Sequence, residues 1–175
     1  RDADGWQDWQ RPTYVGSLVH EAIQSIIQRV RGRLAIAPNS LMLERIEERM
    51  RFEIDYSAKE LWRRVDNPRR DTLILRNHLL GEYLHSHEVD QAIDKAKRAL
   101  SAFLDTYLPY IRQMPPKHIL LIDSLDSILY RGFHLFLSPD FVAEREDRVI
   151  IDWKTGEKGN VDQLKAYALY LIEWE

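Results

Sequence analysis

Apolar positions first recur at helical spacing. Val19, Ile23, Ile26, Ile27 and Val30 lie three and four residues apart, which predicts a helix opening at Gly16-Ser17 and running to about Arg31, with one buried face. Pro38-Asn39-Ser40 interrupts the chain and supplies a cap for a second, charged and amphipathic helix over about 41–65, closed by Asp66-Asn67-Pro68. The short apolar segment 72–80 is expected to be helical too. From Glu88 to Arg112 a long helix is expected, with Ala92, Ala96, Leu100, Phe103, Leu104 and Leu108 as its inner stripe, until Pro115-Pro116 stops it. The pattern then changes. Residues 118–130 and 132–143 are rich in Ile, Leu and Phe with a turn at Arg131-Gly132 between them, and 148–153 is a third short β-like run. After a loop over 154–160, helical spacing returns from Val161 to the end. The order is helix, helical block, three strands, helix, with no internal repeat.

With 175 residues, 45% hydrophobic and 30% charged, the chain is sized for one globular domain with a proper core. No apolar run approaches bilayer length, and no membrane partner is expected. Opening on Arg1 and ending inside a helical run, it reads as part of a longer protein. Cysteine is absent, which excludes disulfide frameworks, thiolate zinc sites, cysteine nucleophiles and iron–sulfur clusters, and a cytoplasmic location is expected. A net charge of −3 gives no global sign of a polyanionic partner, yet local basic contacts do not require one.

The candidate chemistry lies in the last two β-like runs. Ser138-Pro139-Asp140-Phe141-Val142-Ala143 and Val149-Ile150-Ile151-Asp152-Trp153-Lys154 flank a charged turn, which reads as a β-hairpin. With Glu146 at the centre of a three-residue loop, Glu144 faces Arg148, Val142 faces Ile150, and Asp140 lies opposite Asp152 with Cβ atoms about 5 Å apart. A two-residue loop would change the parity and separate the carboxylates. In the first register Lys154 shares their face, two residues beyond Asp152. Two carboxylates that close repel by roughly 4 kcal/mol at an effective dielectric of 20, so cationic charge is expected between them. Lys154 supplies one charge and a divalent metal the rest. Hard oxygen ligands at a hydrated site favour Mg²⁺ or Mn²⁺ over zinc.

Pro139-Asp140, an eleven-residue gap and Asp152-Trp153-Lys154 together resemble the signature of the PD-(D/E)XK nucleases. Gly16-Ser17-Leu18-Val19-His20 resembles the GxxxH motif of their RecB-like branch, and Gln163-Leu164-Lys165-Ala166-Tyr167 its QxxxY motif. Asp152-Trp153-Lys154-Thr155-Gly156 is similar to the branch's DxKTG form. The resemblance implies an α/β, restriction-endonuclease-like core: a central mixed β-sheet flanked by helices, within a single nuclease domain over 1–175 that carries a helical insertion at 39–113. It also implies that Asp140, Asp152 and Lys154 are catalytic. His20, Asp140, Asp152 and the backbone carbonyl of Trp153 would hold the metal, and Gln163, Tyr167 and Gly16 would serve the substrate or order the site. The implied activity is phosphodiester hydrolysis in nucleic acid, DNA rather than RNA, in repair, recombination or defence. A helicase or another domain of a longer protein is an expected partner. Many RecB-like exonucleases carry four cysteines around an iron–sulfur cluster, and this chain has none.

Bland readings stand beside these. A lone histidine at the edge of a helical stripe is ordinarily a packing residue, and Gln163, Tyr167, Tyr170 and Trp174, spaced along one helix face, would pack on the sheet. Lys154-Thr155-Gly156 also matches a penicillin-binding enzyme motif, but no SxxK accompanies it. His78, His85 and His87 are expected at solvated helix ends, and Arg63, Arg64, Arg69, Arg70 and Arg76 on a solvated face. The alternative to an enzyme is a nuclease-fold module that binds nucleic acid or a partner protein without cutting.

Overall fold

In the computed structural model, which describes residues 8–9, 11–61, 74–144, 147–154 and 161–173, the first apolar stripe forms one side of helix α1 (Arg11–Arg31). Val15, Leu18, Val19, Ile23, Ile26 and Ile27 are buried on it. The helix begins five residues ahead of the expected Gly16 start, so Gly16 is internal, where glycine costs up to about 1 kcal/mol relative to alanine. Trp174, the Arg63, Arg64, Arg69 and Arg70 group, Glu146 and the 155–160 loop lie outside the described residues. The chain divides into two compact units, residues 1–19 with 37–104 and residues 20–36 with 105–175.

The first unit contains β1 (Asp8–Trp9), α2 (Asn39–Ala58), β2 (Ile74–Leu75), α3 (Arg76–Leu79) and α4 (Ser86–Thr106). Helix α2 buries Ile46, Met50 and Ile54, and α4 buries Ala92, Ala96, Leu100, Phe103 and Leu104 of the predicted stripe, with Ile93 beside them. Glu47 on α2 takes Lys97 of α4 on one oxygen and Arg51 on the other, and Arg51 also reaches Asp90. The segment expected as a helix over 72–80 is divided instead: β2 pairs in parallel with β1, and only then does α3 begin. A short apolar run carries too little periodicity to separate the two states. This junction is held by a buried serine. Ser57 accepts the Leu75 amide at 2.9 Å and meets His78 Nδ1 at 2.8 Å. Burial pushes the His78 pKa below 6.5, which favours the neutral ring beside Ser57. His78 is therefore a buried packing residue and not a solvated one.

In the second unit the expected long helix is broken. Helix α4 ends at Thr106, and α5 (Leu108–Arg112) follows after Tyr107. Pro109 has no amide hydrogen, and its ring would collide with the Asp105 carbonyl in a continuous helix. A 3-10 turn at Pro116–His118 leads to β3 (Ile119–Ile122), β4 (Asp126–Tyr130), β5 (Phe133–Leu137), β6 (Phe141–Glu144), β7 (Arg148–Ile151) and α6 (Val161–Glu173). Five strands thus replace three apolar runs, because the first two are each cut, at residues 123–125 and 138–140. Strands β3, β6 and β7 form an antiparallel sheet in that order, and β4 and β5 form an antiparallel hairpin. Its two turn residues, Arg131 and Gly132, have φ of +48° and +84°, the left-handed pair that a two-residue hairpin loop requires. Helix α6 lays Tyr167 and Tyr170 on Ile128 and Leu137 of this hairpin, with Leu121, Leu135 and Ile150 around them. The architecture is α/β, an antiparallel sheet with helices, and agrees with a restriction-endonuclease-like fold. No helix among the described residues is long and apolar enough to cross a membrane.

Ser57→Ala should cost roughly 1–3 kcal/mol in a denaturant titration, because it strands the buried Leu75 amide. His78 should titrate below 6.5 by NMR. Since its folded pKa is depressed, its contribution to stability is present above 6.5 and falls away as the pH drops below it.

Candidate active site

Strand pairing decides which side chains share a face. In the β6–β7 ladder Glu144 faces Arg148, Val142 faces Ile150 and Phe141 faces Ile151. This is the register of a three-residue connection, and one further step places Asp140 opposite Asp152. Phe141, Val142 and Ala143 are buried, so the ladder that sets this parity is anchored in the core.

Each carboxylate has its own basic partner. Asp152 Oδ2 forms an ion pair with Lys154 Nζ. Asp140 Oδ1 lies 3.3 Å from His20 Nδ1, and its Oδ2 accepts the Trp153 amide at 2.6 Å. The acids are nearly enclosed, with side chains 11% exposed at Asp140 and 7% at Asp152, whereas Lys154 is 40% exposed. The hydrogen bond to Asp140 raises the His20 pKa above 6.5. Burial opposes this, and the Asp140 charge, the Trp153 backbone carbonyl and the Asp152 charge reinforce it. The imidazole thus faces Asp140 and the carbonyl expected to serve as a ligand, in a place that favours positive charge.

Helix α6 fixes the other side of Asp152. Gln163 Nε2 donates to Asp152 Oδ1 at 3.2 Å and to the Tyr167 hydroxyl at 2.8 Å. The single Tyr167 hydroxyl proton faces both Asp152 Oδ1 at 3.1 Å and the Ser138 carbonyl at 3.2 Å. Burial pushes the Tyr167 pKa up to about 12, with the Gln163 hydrogen bond opposing and Asp152 and Asp140 adding to the rise. Tyr167 is therefore a permanent donor. Its ring belongs to the core and its oxygen to the acid, an arrangement suited to ordering the site. Gly16 lies within α1, one turn ahead of His20.

A pocket lined by His20, Gln24, Asp123, Asp140 and Trp153 opens beside the acids, with a volume of about 10 Å³, close to the room of one water-sized sphere. Sequence reasoning missed Gln24 and Asp123. Gln24 follows His20 by one helical turn, so a helical wheel places it on the same side. Asp123 carried no signal, since it sits inside an apolar run. Only the chain break after β3 reveals it, with φ of +44° and its amide bonded to the Asp140 carbonyl at 2.9 Å. Tyr107 meets the Trp153 ring edge-on at 4.9 Å.

The donor chemistry fits a hard divalent cation: two carboxylates, a carbonyl and an imidazole whose raised pKa reports a deficit of positive charge. The convergence expected of His20, Asp140 and Asp152 is only pairwise. Among the described residues no three His, Asp or Glu side chains are gathered as metal ligands. Asp140 is turned to His20, and Asp152 to Lys154, Gln163 and Tyr167.

A family model described as the PD-(D/E)XK nuclease superfamily matches residues 6–173. No curated protein and no solved structure matches the chain.

His20 should titrate above 6.5 by NMR, and Asp140→Asn should move its midpoint downward. Because the folded pKa is raised, the stabilisation from this pair is fully present below 6.5 and is lost as the pH rises through the folded value.

Proposed function

This chain belongs to the PD-(D/E)XK nuclease superfamily, and on that footing we propose that it is a RecB-like deoxyribonuclease dependent on Mg²⁺ or Mn²⁺. Nuclease activity on a nucleic-acid substrate is what the superfamily carries, and its members use divalent metal ions. The observation that carries the finer reading is the pair of nearly buried carboxylates at neighbouring strand ends, each paired with a separate basic side chain.

His20, Asp140, Asp152 and the Trp153 carbonyl would hold the metal, three oxygen donors and one imidazole nitrogen, beside a small pocket that His20, Asp140 and Trp153 line. When bound, the ion supplies Lewis-acid activation of water and charge stabilisation at the scissile phosphate. Lys154, exposed beside Asp152, orients the attacking water and offsets negative charge as it grows on the phosphate. Hydrolysis joins the water oxygen to phosphorus and breaks the bond to the leaving ester oxygen. One proton leaves the water and one reaches the departing oxygen. Gln163 and Tyr167 hold Asp152 from behind, and the Trp153 amide holds Asp140. RecB-like assignment rests on His20, Gln163 and Tyr167 all touching the two acids, since these residues come from the outer motifs.

One observation favours a silent nuclease-fold module that binds nucleic acid or a partner: both oxygens of Asp152 are satisfied by donors of this chain. Calorimetry separates the two readings, because a working site gives Mn²⁺ heat that Asp140→Asn removes.

With Mn²⁺, the protein should cut DNA, and Asp152→Asn or Lys154→Met should lower kcat by about 10²–10³-fold or more without altering the circular dichroism spectrum. Tyr167→Phe should lower activity or metal affinity by about 10–100-fold, the usual loss when a ligand's supporting hydrogen bond is removed. A wild-type protein that leaves single- and double-stranded DNA and RNA intact would sink the enzymatic reading.

A further inference from the structure

The β4–β5 hairpin has two unlike faces. Ile128, Leu135 and Leu137 alternate toward α6, where Tyr167 and Tyr170 cover them. The opposite face carries the pairs Leu129↔His134 and Ser127↔Phe136, all exposed. Leu129 is 62% and Phe136 67% exposed. Contiguous apolar exposure of this kind marks an interaction surface.

Its composition says what it would take. From Ser127 to Pro139 there is no carboxylate, although the chain has 28 acids and a net charge of −3. The charged or chargeable groups in that stretch are Arg131 and His134. Arg131 lies over the Tyr130 ring at 5.3 Å. His134 and Phe136 stand side by side on the open face, ring centroids 6.3 Å apart and 28° from parallel. Near-parallel open rings on a face without acids suit a ligand that combines negative charge with flat π-faces. Paired bases hide those faces, and unpaired ones offer them.

We propose that this face is a stacking platform for the unpaired bases of single-stranded nucleic acid. His134 and Phe136 receive bases, and Leu129 extends the surface beside them. The strand continues directly into the candidate site: Ser138, Pro139 and Asp140 follow β5, so Phe136 is at most roughly 14 Å of extended chain from Asp140. The platform thereby gives the proposed nuclease a preference for single strands. It rests on that reading for its purpose but not for its test.

The test is metal-free binding, followed by fluorescence anisotropy in EDTA with the whole chain. The probes are a labelled oligothymidylate, a duplex of equal length and an abasic strand of equal charge. His134→Leu/Phe136→Leu keeps the face apolar but removes both rings, and Phe136→Tyr retains one. These side chains are exposed, so unchanged melting temperatures are expected. Oligothymidylate binding should weaken about tenfold for each ring lost, survive in Phe136→Tyr, and drop to a similar extent for the abasic strand. Duplex binding should not change. Equal affinity of the double-leucine variant for oligothymidylate, or of wild type for the abasic strand, would overturn the proposal. So would a dimer in sedimentation that Phe136→Arg dissolves while oligonucleotide affinity stays the same, which would give the face to a second copy. Cleavage with Mn²⁺ is scored separately: a protein that binds as stated but cannot cut defeats the nuclease reading and keeps the platform, and one that cuts without needing the rings does the reverse.

Discussion

Parity in one short ladder governs the chemistry available to this chain. Phe141 pairs with Ile151 and Val142 with Ile150, and these pairs bring Asp140 and Asp152 to neighbouring places on one side of the sheet. A slip of one residue in β6 would turn Phe141 and Ala143 toward the face of Asp152 and send Asp140 to the other, separating the two acids. Buried Phe141, Val142 and Ala143, with β3 on the far side of β6, make that slip costly. The site therefore depends on apolar packing that never touches a substrate.

Once the acids are side by side, their charge organises the surroundings. Two nearly enclosed carboxylates need compensation, and the fold supplies it from both flanks. His20 arrives from α1 against Asp140, and Lys154 extends from the end of β7 against Asp152. Gln163 and Tyr167 add neutral donors from α6. Tyr167 links two roles, since its ring is part of the core that joins α6 to the β4–β5 hairpin while its hydroxyl serves the acid. Its raised pKa keeps the donor protonated. A hydrogen-bonded carboxylate with a fixed direction is a better-defined ligand than one free to rotate.

The same hairpin explains the asymmetry of the second unit. Its inner face is closed by α6, and its outer face exposes aromatic and aliphatic side chains in a stretch without acids. The connection Ser138-Pro139-Asp140 joins that hairpin to the β6–β7 ladder, and the Ser138 carbonyl is one of the acceptors of Tyr167. Core, candidate site and open face are consecutive along barely two strands of chain.

By itself, the sequence determined the elements whose signal is local. Helical spacing located the bodies of α1, α2, α4 and α6, although α1 begins at Arg11 rather than Gly16 and α2 ends at Ala58 rather than near Val65. Strand alternation with a three-residue connection predicted the β6–β7 register, and with it the shared face of Asp140, Asp152 and Lys154. Breaks were less legible. Pro109 ended α4 sooner than its apolar stripe suggested, and two long apolar runs became four strands, because hydrophobicity continues through a chain reversal that only pairing partners reveal. Tertiary structure alone decided how charge is apportioned. It gave His20 to Asp140 and Lys154 to Asp152, directed Tyr167 inward to hold an acid, and brought Gln24 and Asp123 to the pocket. These outcomes depend on distances between residues far apart in the chain, and no periodicity encodes such distances.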